Sequence, residues 1–228
     1  MAARTCPQIL KHDSLHLVLA SFFRSGTSHR VRIALNLKGV AYEYKPVSLT
    51  NREHRGDSFL AVNPQGLVPV LMVDGKPLVQ SPAILEWLEE TFPAPPLLPP
   101  AIADRAHVRA IAAIIGCDIH PINNLRILTH LKAKFGANEQ SVTAWCRHWI
   151  RAGFEALEIL LVGDTRRAGF CFGNLPTLAD CYLIPQVFSA RRFGVDLEAF
   201  PMIRQIYNDC GSLPAFVAAQ PDRQPDAV

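Results

Sequence analysis

The sequence predicts a small α/β domain at its amino-terminal end, followed by an all-helical domain. Strand-like and helix-like segments alternate over residues 15–92, whereas the segments after residue 105 carry only helical periodicity. Between them lies the run PAPPLLPP, residues 93–100, whose five prolines exclude both a helix and a central strand. The predicted parts are an extension over residues 1–14, an α/β domain over 15–92, a linker over 93–104 and a helical domain over 105–228.

The α/β domain begins with a strand and a helix. The run LHLVLAS, residues 15–21, is strand-like, and the periodicity that follows predicts a helix over residues 27–38. Gly39 is suited to the left-handed position that often follows the end of a helix. A second strand, YEYKPVSL, contains Pro46, which places it at a sheet edge or a bulge.

A hairpin and a second helix complete this domain. The segment VPVLMVDGKPLVQ, residues 68–80, predicts a hairpin because Asp74 and Gly75 suit a two-residue turn between two apolar runs. The next helix is expected to have Ser81 as its N-cap and Pro82 at its first position. A parallel start followed by an antiparallel hairpin predicts a mixed sheet.

The second domain is helical throughout. Pro121 is expected to kink its first helix and to turn nearby polar side chains toward a cleft. Thr177 and Asp180 have the spacing of a capping box, so a helix is expected to begin there. Helical periodicity covers residues 105–131, 139–162, 177–192 and 201–219.

Composition excludes several classes of function. The formal charge is only +3 and no block of Lys and Arg occurs, so nucleic acid is not an expected partner. The apolar runs are too short to span a membrane, and the first residues lack the apolar core of a signal peptide. A transit peptide stays open, although a short extension fits these residues better. The six cysteines form no C-x-x-C pair and fit no metal site, so we expect buried free thiols in a reducing cytoplasm.

The polar stretch before the first helix raises a question about ligands. Residues 24–28 read Arg-Ser-Gly-Thr-Ser, so three hydroxyls lie at a helix start, and those of Ser25 and Thr27 are the candidates for ligand binding. A helix N-terminus carries unpaired N–H groups and partial positive charge, so it can bind an anion. The hydroxyls could therefore cap the helix only, or also bind a negatively charged group.

Four motifs together resemble the zeta class of the glutathione transferase family. They are FFRSGTSHRVRIAL, NPQGLVPVL, VQSPAILEWLEE and PTLADCYLIPQV. The resemblance covers roughly residues 15–226, and it implies a thioredoxin-like amino-terminal domain with a mixed four-stranded sheet. The class includes maleylacetoacetate and maleylpyruvate isomerases. The segment CDIHPINNLRIL, residues 117–128, and the SGTSHR form of the first motif resemble the maleylpyruvate branch more closely.

The resemblance implies a site for glutathione. Ser25 or Thr27 would contact the glutathione sulfur. Val68, before a cis Pro69, would pair with its peptide backbone, and Gln80 with Ser81 would bind the γ-glutamyl carboxylate. Many zeta-class members have Ser-Ser-Cys-Ser where this chain has Ser-Gly-Thr-Ser, so covalent chemistry by an enzyme thiol is excluded there. The other residues implied in glutathione binding are His54, His120 and Asn124.

The resemblance also implies a dicarboxylate substrate and a homodimer. Arginine binds a carboxylate through two parallel hydrogen bonds. The substrate-binding candidates are Arg24, Arg126, Arg191 and Arg192, and the dimer contact would involve residues 105–131 and 139–162. The expected activity is glutathione-dependent cis–trans isomerisation of maleylpyruvate. Three alternatives stay open: maleylacetoacetate as substrate, a transferase that conjugates glutathione or displaces halide, and a non-enzymatic binding protein.

Overall fold

The computed structural model describes residues 15–227, and the predicted extension over residues 1–14, with Cys6, lies outside this range. Four short strands form one sheet in the order β2-β1-β3-β4. β1 pairs in parallel with β2 and antiparallel with β3, which pairs antiparallel with β4, so the predicted mixed sheet is confirmed. The strands are β1 Leu17–Ser21, β2 Glu43–Pro46, β3 Val70–Val73 and β4 Lys76–Val79.

The sheet follows the sequence signals closely. Asp74 and Gly75, between β3 and β4, both have positive φ, 47° and 78°, as the primed hairpin turn requires. Pro46 ends β2, which lies at the edge of the sheet as predicted. Leu19 of the central β1 is opposite Tyr44 on one side and Leu71 on the other, and its side chain is completely buried.

The amino-terminal domain contains three helices. The predicted N-cap of the third helix is wrong by one residue. Gln80 is the N-cap because its carbonyl accepts the bond from the Ile84 N–H, and Ser81 is already the first helical residue. The three helices are α1 Gly26–Leu37, α2 Asp57–Leu60 and α3 Ser81–Thr91.

A buried ion pair fixes the proline-rich linker. Lys38 Nζ, fully buried, donates to Glu89 Oε2 at 2.7 Å and to the backbone carbonyls of Phe92 and Pro95 at 2.6 and 3.0 Å. The Glu89 carboxylate also accepts from the N–H groups of residues 97 and 98, at 2.9 and 3.1 Å. Every donor of the ammonium group therefore has an acceptor, which a buried charge requires.

The first helix of the second domain differs from the prediction of one kinked helix. After α4, Ile102–Ala113, the chain passes through a π-helical segment, Ile114–Ile119, and a 3-10 turn, Pro121–Asn123, before α5, Leu125–Phe135, begins. Pro121 starts that turn because it has no N–H to continue the helix. Asn124 then caps α5 by accepting from the Arg126 N–H at 3.1 Å.

The remaining helices largely match the predictions. The capping box is confirmed, since the Asp180 carboxylate accepts from the Thr177 N–H at 2.7 Å and from its hydroxyl at 2.9 Å. The prediction of a single helix over residues 201–219 is wrong, because one helix ends at Gly211 and a new one begins at Pro214. The helices are α4 Ile102–Ala113, α5 Leu125–Phe135, α6 Glu139–Gly163, α7 Leu178–Arg192, α8 Pro201–Gly211 and α9 Pro214–Ala219.

Both domains contribute to one continuous apolar core, in which α1 packs against α7 and α9. Four of the five described cysteines are buried free thiols, but Cys117 is exposed, which corrects the expectation that all are buried. Across residues 15–227, no helix combines the length and apolar character needed to cross a membrane.

Candidate active site

A cleft opens between the two domains, at the N-terminal ends of α1 and α3. Its empty volume is about 660 Å³. Among the predicted site residues, those lining the cleft are Thr27, Val68, Pro69, Gln80, Ser81, His120, Asn124 and Arg126. Lining residues that the sequence did not predict as ligand-binding include Arg30, Asn63 and Gln65.

The two hydroxyls at the start of α1 form a directed chain of hydrogen bonds. Thr27 Oγ1 donates to the Val68 carbonyl at 3.0 Å, which uses the only proton of that hydroxyl. Ser25 Oγ lies 2.9 Å from Thr27 Oγ1, so Ser25 is the donor in this pair. Ser25 is also the N-cap of α1, accepting from the Ser28 N–H at 3.3 Å. The Ser25 proton can turn toward a ligand while the Thr27 bond to Val68 stays intact.

The backbone conformations at two further predicted positions are unusual. The Val68–Pro69 peptide bond is cis, as the resemblance implied. Gln80 has φ 73° and ψ 113°, a conformation that costs free energy for a residue with a side chain and is common at ligand sites. The Gln80 amide donates to the Gln65 side chain. The N-terminal turn of α3, with the buried Ser81 hydroxyl, lies at the cleft.

The loop that carries Gln65 is fixed from within. Asn63, only 2% exposed, donates through its amide to the Leu67 carbonyl at 2.7 Å and accepts from the Gln65 N–H at 3.2 Å. These bonds stabilise the approach to Val68. Asn63 belongs to the motif NPQGLVPVL, but its hydrogen bonds form only in the folded loop, whose conformation the local sequence does not predict.

Arg30 and His120 form the side of the cleft nearer to the helical domain. Arg30 is 2% exposed, its guanidinium lies 4.2 Å from the centre of the Tyr182 ring, and its Nε has no partner among the described residues. Burial lowers its pKa to about 10, so Arg30 stays charged at neutral pH. Burial and the Arg30 charge lower the pKa of His120 to about 3, so that imidazole is neutral. Arg30 lies four residues after Gly26, so both lie on the same face of α1. This spacing is the sequence signal that could have indicated Arg30 as a residue of the cleft.

Ser25 is not among the residues that line the cleft, although its hydroxyl lies 2.9 Å from that of Thr27, and three further predicted residues lie at other places. His54 is buried, and its pKa is lowered by burial and by the nearby Arg55 and Arg52. Arg24 is exposed, with its guanidinium 4.9 Å from the Phe23 ring centre. Arg191 is exposed and turned toward α8, because it lies over the ring of Tyr207 and donates to its hydroxyl at 3.3 Å.

Arg192 does not line the cleft either; it is exposed, and its guanidinium lies 5.4 Å from the centre of the Phe193 ring. Pro185 of α7 is near Gly26, where a built Cβ would be 3.9 Å from the proline ring. Seven residues correspond to almost two helical turns, so Arg192 lies on the same face as Pro185. The two arginines therefore differ in position: Arg192 is on the α7 face that carries Pro185, and Arg191 lies beside Tyr207.

The electrostatic character of the cleft favours anions. Arg30 and Arg126 contribute positive charge, and no Asp or Glu lies among the described residues that line it. The N-terminal ends of α1 and α3 add partial positive charge at the same cleft. Within residues 15–227, no group of His, Cys, Asp and Glu side chains is arranged to hold a metal ion.

Comparison with known proteins gives one consistent family. The family model described as "Glutathione S-transferase, N-terminal domain" matches residues 24–91. The chain is 59% identical to the maleylpyruvate isomerase of a Ralstonia species, over 92% of this chain and 99% of the relative. It is 48% identical to the maleylacetoacetate isomerase of Pseudomonas aeruginosa, over 91% and 97%.

Solved structures agree with these relatives. A holo structure of a maleyl pyruvate isomerase, described as a bacterial glutathione S-transferase in the zeta class, superimposes with a TM-score of 0.91 and 58% identity. It covers 92% of this chain and 100% of that one. The maleylacetoacetate isomerase of Anaeromyxobacter dehalogenans, with bound dicarboxyethyl glutathione and citrate, gives a TM-score of 0.84 and 45% identity, covering 94% and 99%.

Proposed function

The chain belongs to the zeta class of the glutathione S-transferase family, and from this premise we propose that it is a glutathione-dependent cis–trans isomerase that converts maleylpyruvate to fumarylpyruvate. The observation that carries this proposal is the cleft itself. The Thr27 hydroxyl, at the start of α1, lines the same cleft as Arg30 and Arg126, and no carboxylate among residues 15–227 lines it. Such a site suits a thiolate together with a substrate that carries two carboxylates.

The residues of this chain fit glutathione. Val68 offers backbone groups beside the cis proline, and Gln80 with Ser81 presents the N-terminal turn of α3 to the γ-glutamyl carboxylate. His120 Nε2 has no partner among the described residues and, because the imidazole is neutral, it can bind a polar group of the ligand without adding charge. Asn124 lines the same wall. His54, outside the cleft lining, is assigned to the glycine end by the family pattern.

When bound, glutathione supplies a thiolate for reversible addition to the cis double bond, so that the former double bond can rotate. The chain makes the thiolate available at neutral pH. The N-terminus of α1 and the Ser25 hydroxyl stabilise the anionic sulfur and lower its pKa, since the Thr27 proton is already used by the Val68 carbonyl. Arginine at the cleft stabilises the negative charge that develops on the carbonyl oxygen of the substrate.

The substrate carboxylates are assigned to the arginines around the cleft. Arg126 lines it directly, Arg24 lies one residue before the Ser25 N-cap, and Arg192 is on the same face of α7 as Pro185, almost two turns beyond it. Arg191 is the least suited of the four predicted candidates, because its guanidinium already donates to the Tyr207 hydroxyl of α8. We therefore assign substrate binding to Arg24, Arg126 and Arg192.

A pair of substitutions tests the division between the two neighbouring arginines. Arg192→Met keeps the apolar stem and removes the charge. We expect it to lower kcat/KM for maleylpyruvate by about tenfold to a hundredfold, as the loss of a charge-assisted bond does. Arg191→Met makes the same charge change and should retain most activity. Equal losses in both variants would contradict the assignment.

The reaction itself distinguishes the candidate activities. Purified protein with maleylpyruvate should form fumarylpyruvate over many turnovers per glutathione, with no net loss of thiol. Consumption of one thiol per product would instead indicate a conjugating or dehalogenating transferase. Maleylacetoacetate is the second candidate substrate, favoured by the 48% identity to an isomerase of that name, and kcat/KM for the two substrates in one preparation decides between them.

We also propose a cytoplasmic homodimer. A reaction that uses a free thiolate needs a compartment in which glutathione stays reduced. The contact is assigned to residues 105–131 and 139–162, as in the sequence prediction. Light scattering should give twice the monomer mass, and a fully active monomer would contradict this part of the proposal.

A further inference from the structure

The last residues of the chain return to the amino-terminal domain and reach the start of the proposed active site. We call residues 214–227 the C-terminal segment; it comprises α9, a 3-10 turn and the residues after it. Its carbonyl groups accept from α1: Asn36 Nδ2 donates to the Ala215 carbonyl at 3.0 Å, and Arg32 Nε donates to the Ala219 carbonyl at 3.1 Å. The C-terminal segment is thus attached along one face of α1.

Near the end of this segment, Asp226 binds two parts of the amino-terminal domain. Its Oδ2 accepts from the backbone N–H of Phe23 at 3.0 Å, and its Oδ1 accepts from the Tyr44 hydroxyl at 2.6 Å. Burial and this hydrogen bond to Asp226 raise the pKa of Tyr44, so the phenol stays a donor at neutral pH. Asp226 therefore connects β2 with the turn between β1 and α1, and its partner Phe23 lies 203 residues away in the sequence.

Phe23 lies in the turn that leads directly to Ser25. The Ser25 N–H donates to the Phe22 carbonyl at 2.9 Å, which closes this turn. Arg32 donates to the Phe23 carbonyl at 2.9 Å and lies 3.5 Å from the Phe22 carbonyl oxygen. The carbonyl groups of the turn are thus bound by Arg32, and the Phe23 N–H is bound by Asp226.

Asp226 also balances a buried charge. Arg32 is completely buried and donates to the Ser21 hydroxyl and to backbone carbonyls, but to no described carboxylate. The negative charge of Asp226 favours the charged form of Arg32, whose pKa burial lowers to about 10. The Asp226 carboxylate therefore has two separable effects: it fixes the position of the turn, and it stabilises the charged form of Arg32.

We propose that Asp226 is a positioning residue for the active site: by binding the Phe23 N–H, it sets the location of the Ser25 hydroxyl and of the α1 N-terminus relative to the glutathione sulfur. This inference rests on the proposed function, because it assumes that Ser25 contacts the sulfur. It predicts that the carboxyl terminus of the chain, far from the cleft in sequence, controls the pKa of the bound thiol.

Two substitutions at this residue separate position from charge. Asp226→Ala removes the acceptor of the Phe23 N–H. We expect it to raise the pKa of the bound glutathione thiol. At pH values below the wild-type thiol pKa, kcat should fall about tenfold, because small displacements of reacting groups are costly. Activity should recover at higher pH. Asp226→Asn keeps an oxygen for the Phe23 N–H, so the thiol pKa should stay at the wild-type value although the free energy of unfolding falls.

A matched control uses the same segment. Asp222 is exposed on the 3-10 turn, and Asp222→Ala makes the same change of charge without altering the Phe23 contact. It should leave the thiol pKa unchanged. The other charged or titratable groups of the cleft and the preceding turn, Arg24, Arg30, His120 and Arg126, are the same in all variants.

The measurements are the pH titration of the bound thiolate by ultraviolet absorbance, the pH profile of kcat, and amide hydrogen exchange of peptides covering residues 22–28 without glutathione. Faster exchange is expected in Asp226→Ala only. Should that variant not fold, Tyr44→Phe removes the second contact of the carboxylate and should shift the thiol pKa in the same direction by a smaller amount.

The outcomes separate this inference from the proposed function. Wild-type protein that binds glutathione without lowering its thiol pKa would contradict the proposed function. Wild-type protein that lowers the pKa, together with Asp226→Ala that lowers it equally and exchanges no faster, would overturn the positioning role alone. If Asp226→Ala does not fold, an unchanged thiol pKa in Tyr44→Phe overturns it.

Discussion

Ser25→Ala should raise the pKa of the bound glutathione thiol more than any change at Thr27. The Ser25 hydroxyl is the donor whose proton can turn to a ligand, because Thr27 Oγ1 donates to Val68. A hydrogen bond to a charged group contributes about 1.5–3 kcal/mol. One pKa unit corresponds to about 1.4 kcal/mol, so the expected increase is roughly one to two units. The α1 N-terminus remains, so the pKa should stay below that of free glutathione.

Thr27 provides the matched comparison. Thr27→Val keeps the shape of the side chain and removes the hydroxyl, which leaves the Val68 carbonyl without its donor and frees the Ser25 proton for the sulfur. We expect a small change in the thiol pKa and a higher KM for glutathione, because Val68 is assigned to its backbone. Thr27→Ser keeps the hydroxyl and should behave nearly as the wild type.

The assay is a pH titration of thiolate absorbance in the enzyme–glutathione complex, with kcat measured over the same pH range. Ser25→Ala should lose about tenfold or more of kcat at pH values below the wild-type thiol pKa and regain it at higher pH. If Thr27→Val raises the thiol pKa as much as Ser25→Ala, the assignment of the donor is wrong. If neither variant changes it, the hydroxyls only cap the helix.

Three further predictions concern stability and its pH dependence. Lys38→Met should lower the free energy of unfolding in urea by about 3–5 kcal/mol, because it leaves a buried carboxylate without its cation; a loss below 1 kcal/mol would show that water reaches the pair. Gly153→Ala should cost about 1–3 kcal/mol, since its Cβ would lie 2.2 Å from a side chain of the π-helical segment, whereas Gly163→Ala, with nothing within 4 Å, should cost much less. Hydrogen bonds from Arg166 lower the pKa of Asp164 to about 2, so its stabilising effect should be full above about pH 4 and lost as pH falls toward 2. Thermal unfolding of Asp164→Asn should lack this component of the pH dependence, and an identical profile would contradict it.

Local signals predicted the elements, and their failures have local causes too. The hairpin and the edge strand follow from Asp74-Gly75 and Pro46, which favour particular backbone conformations, and the capping box follows from the side chains of Thr177 and Asp180. The helical periodicity was continuous across Pro121 and Pro214, although each proline begins a new helical segment. An apolar stripe can continue across such a break, because both segments pack on the same core.

The site was less predictable because its contacts join distant segments. Periodicity placed Thr27 at a helix start, but the direction of its hydrogen bond depends on the Val68 carbonyl, 41 residues away. Arg30 lies within an apolar helix pattern, and only the folded position of Tyr182 shows that its charge lies beside the cleft. Asp226 is further still from Phe23, 203 residues along the chain.

The helix α1 connects these parts, because successive residues on it point about 100° apart. Thr27 donates to Val68, just before β3. Arg30 contacts Tyr182 of the helical domain, and Arg32 donates to the C-terminal segment. Fewer than two helical turns, residues 27–32, thus contact three different regions of the chain, each through a different chemical group. Substitutions at these positions should therefore separate in their effects. Thr27 should govern glutathione affinity, Arg30 the charge of the cleft, and Arg32 the free energy of unfolding together with the position of the turn before Ser25.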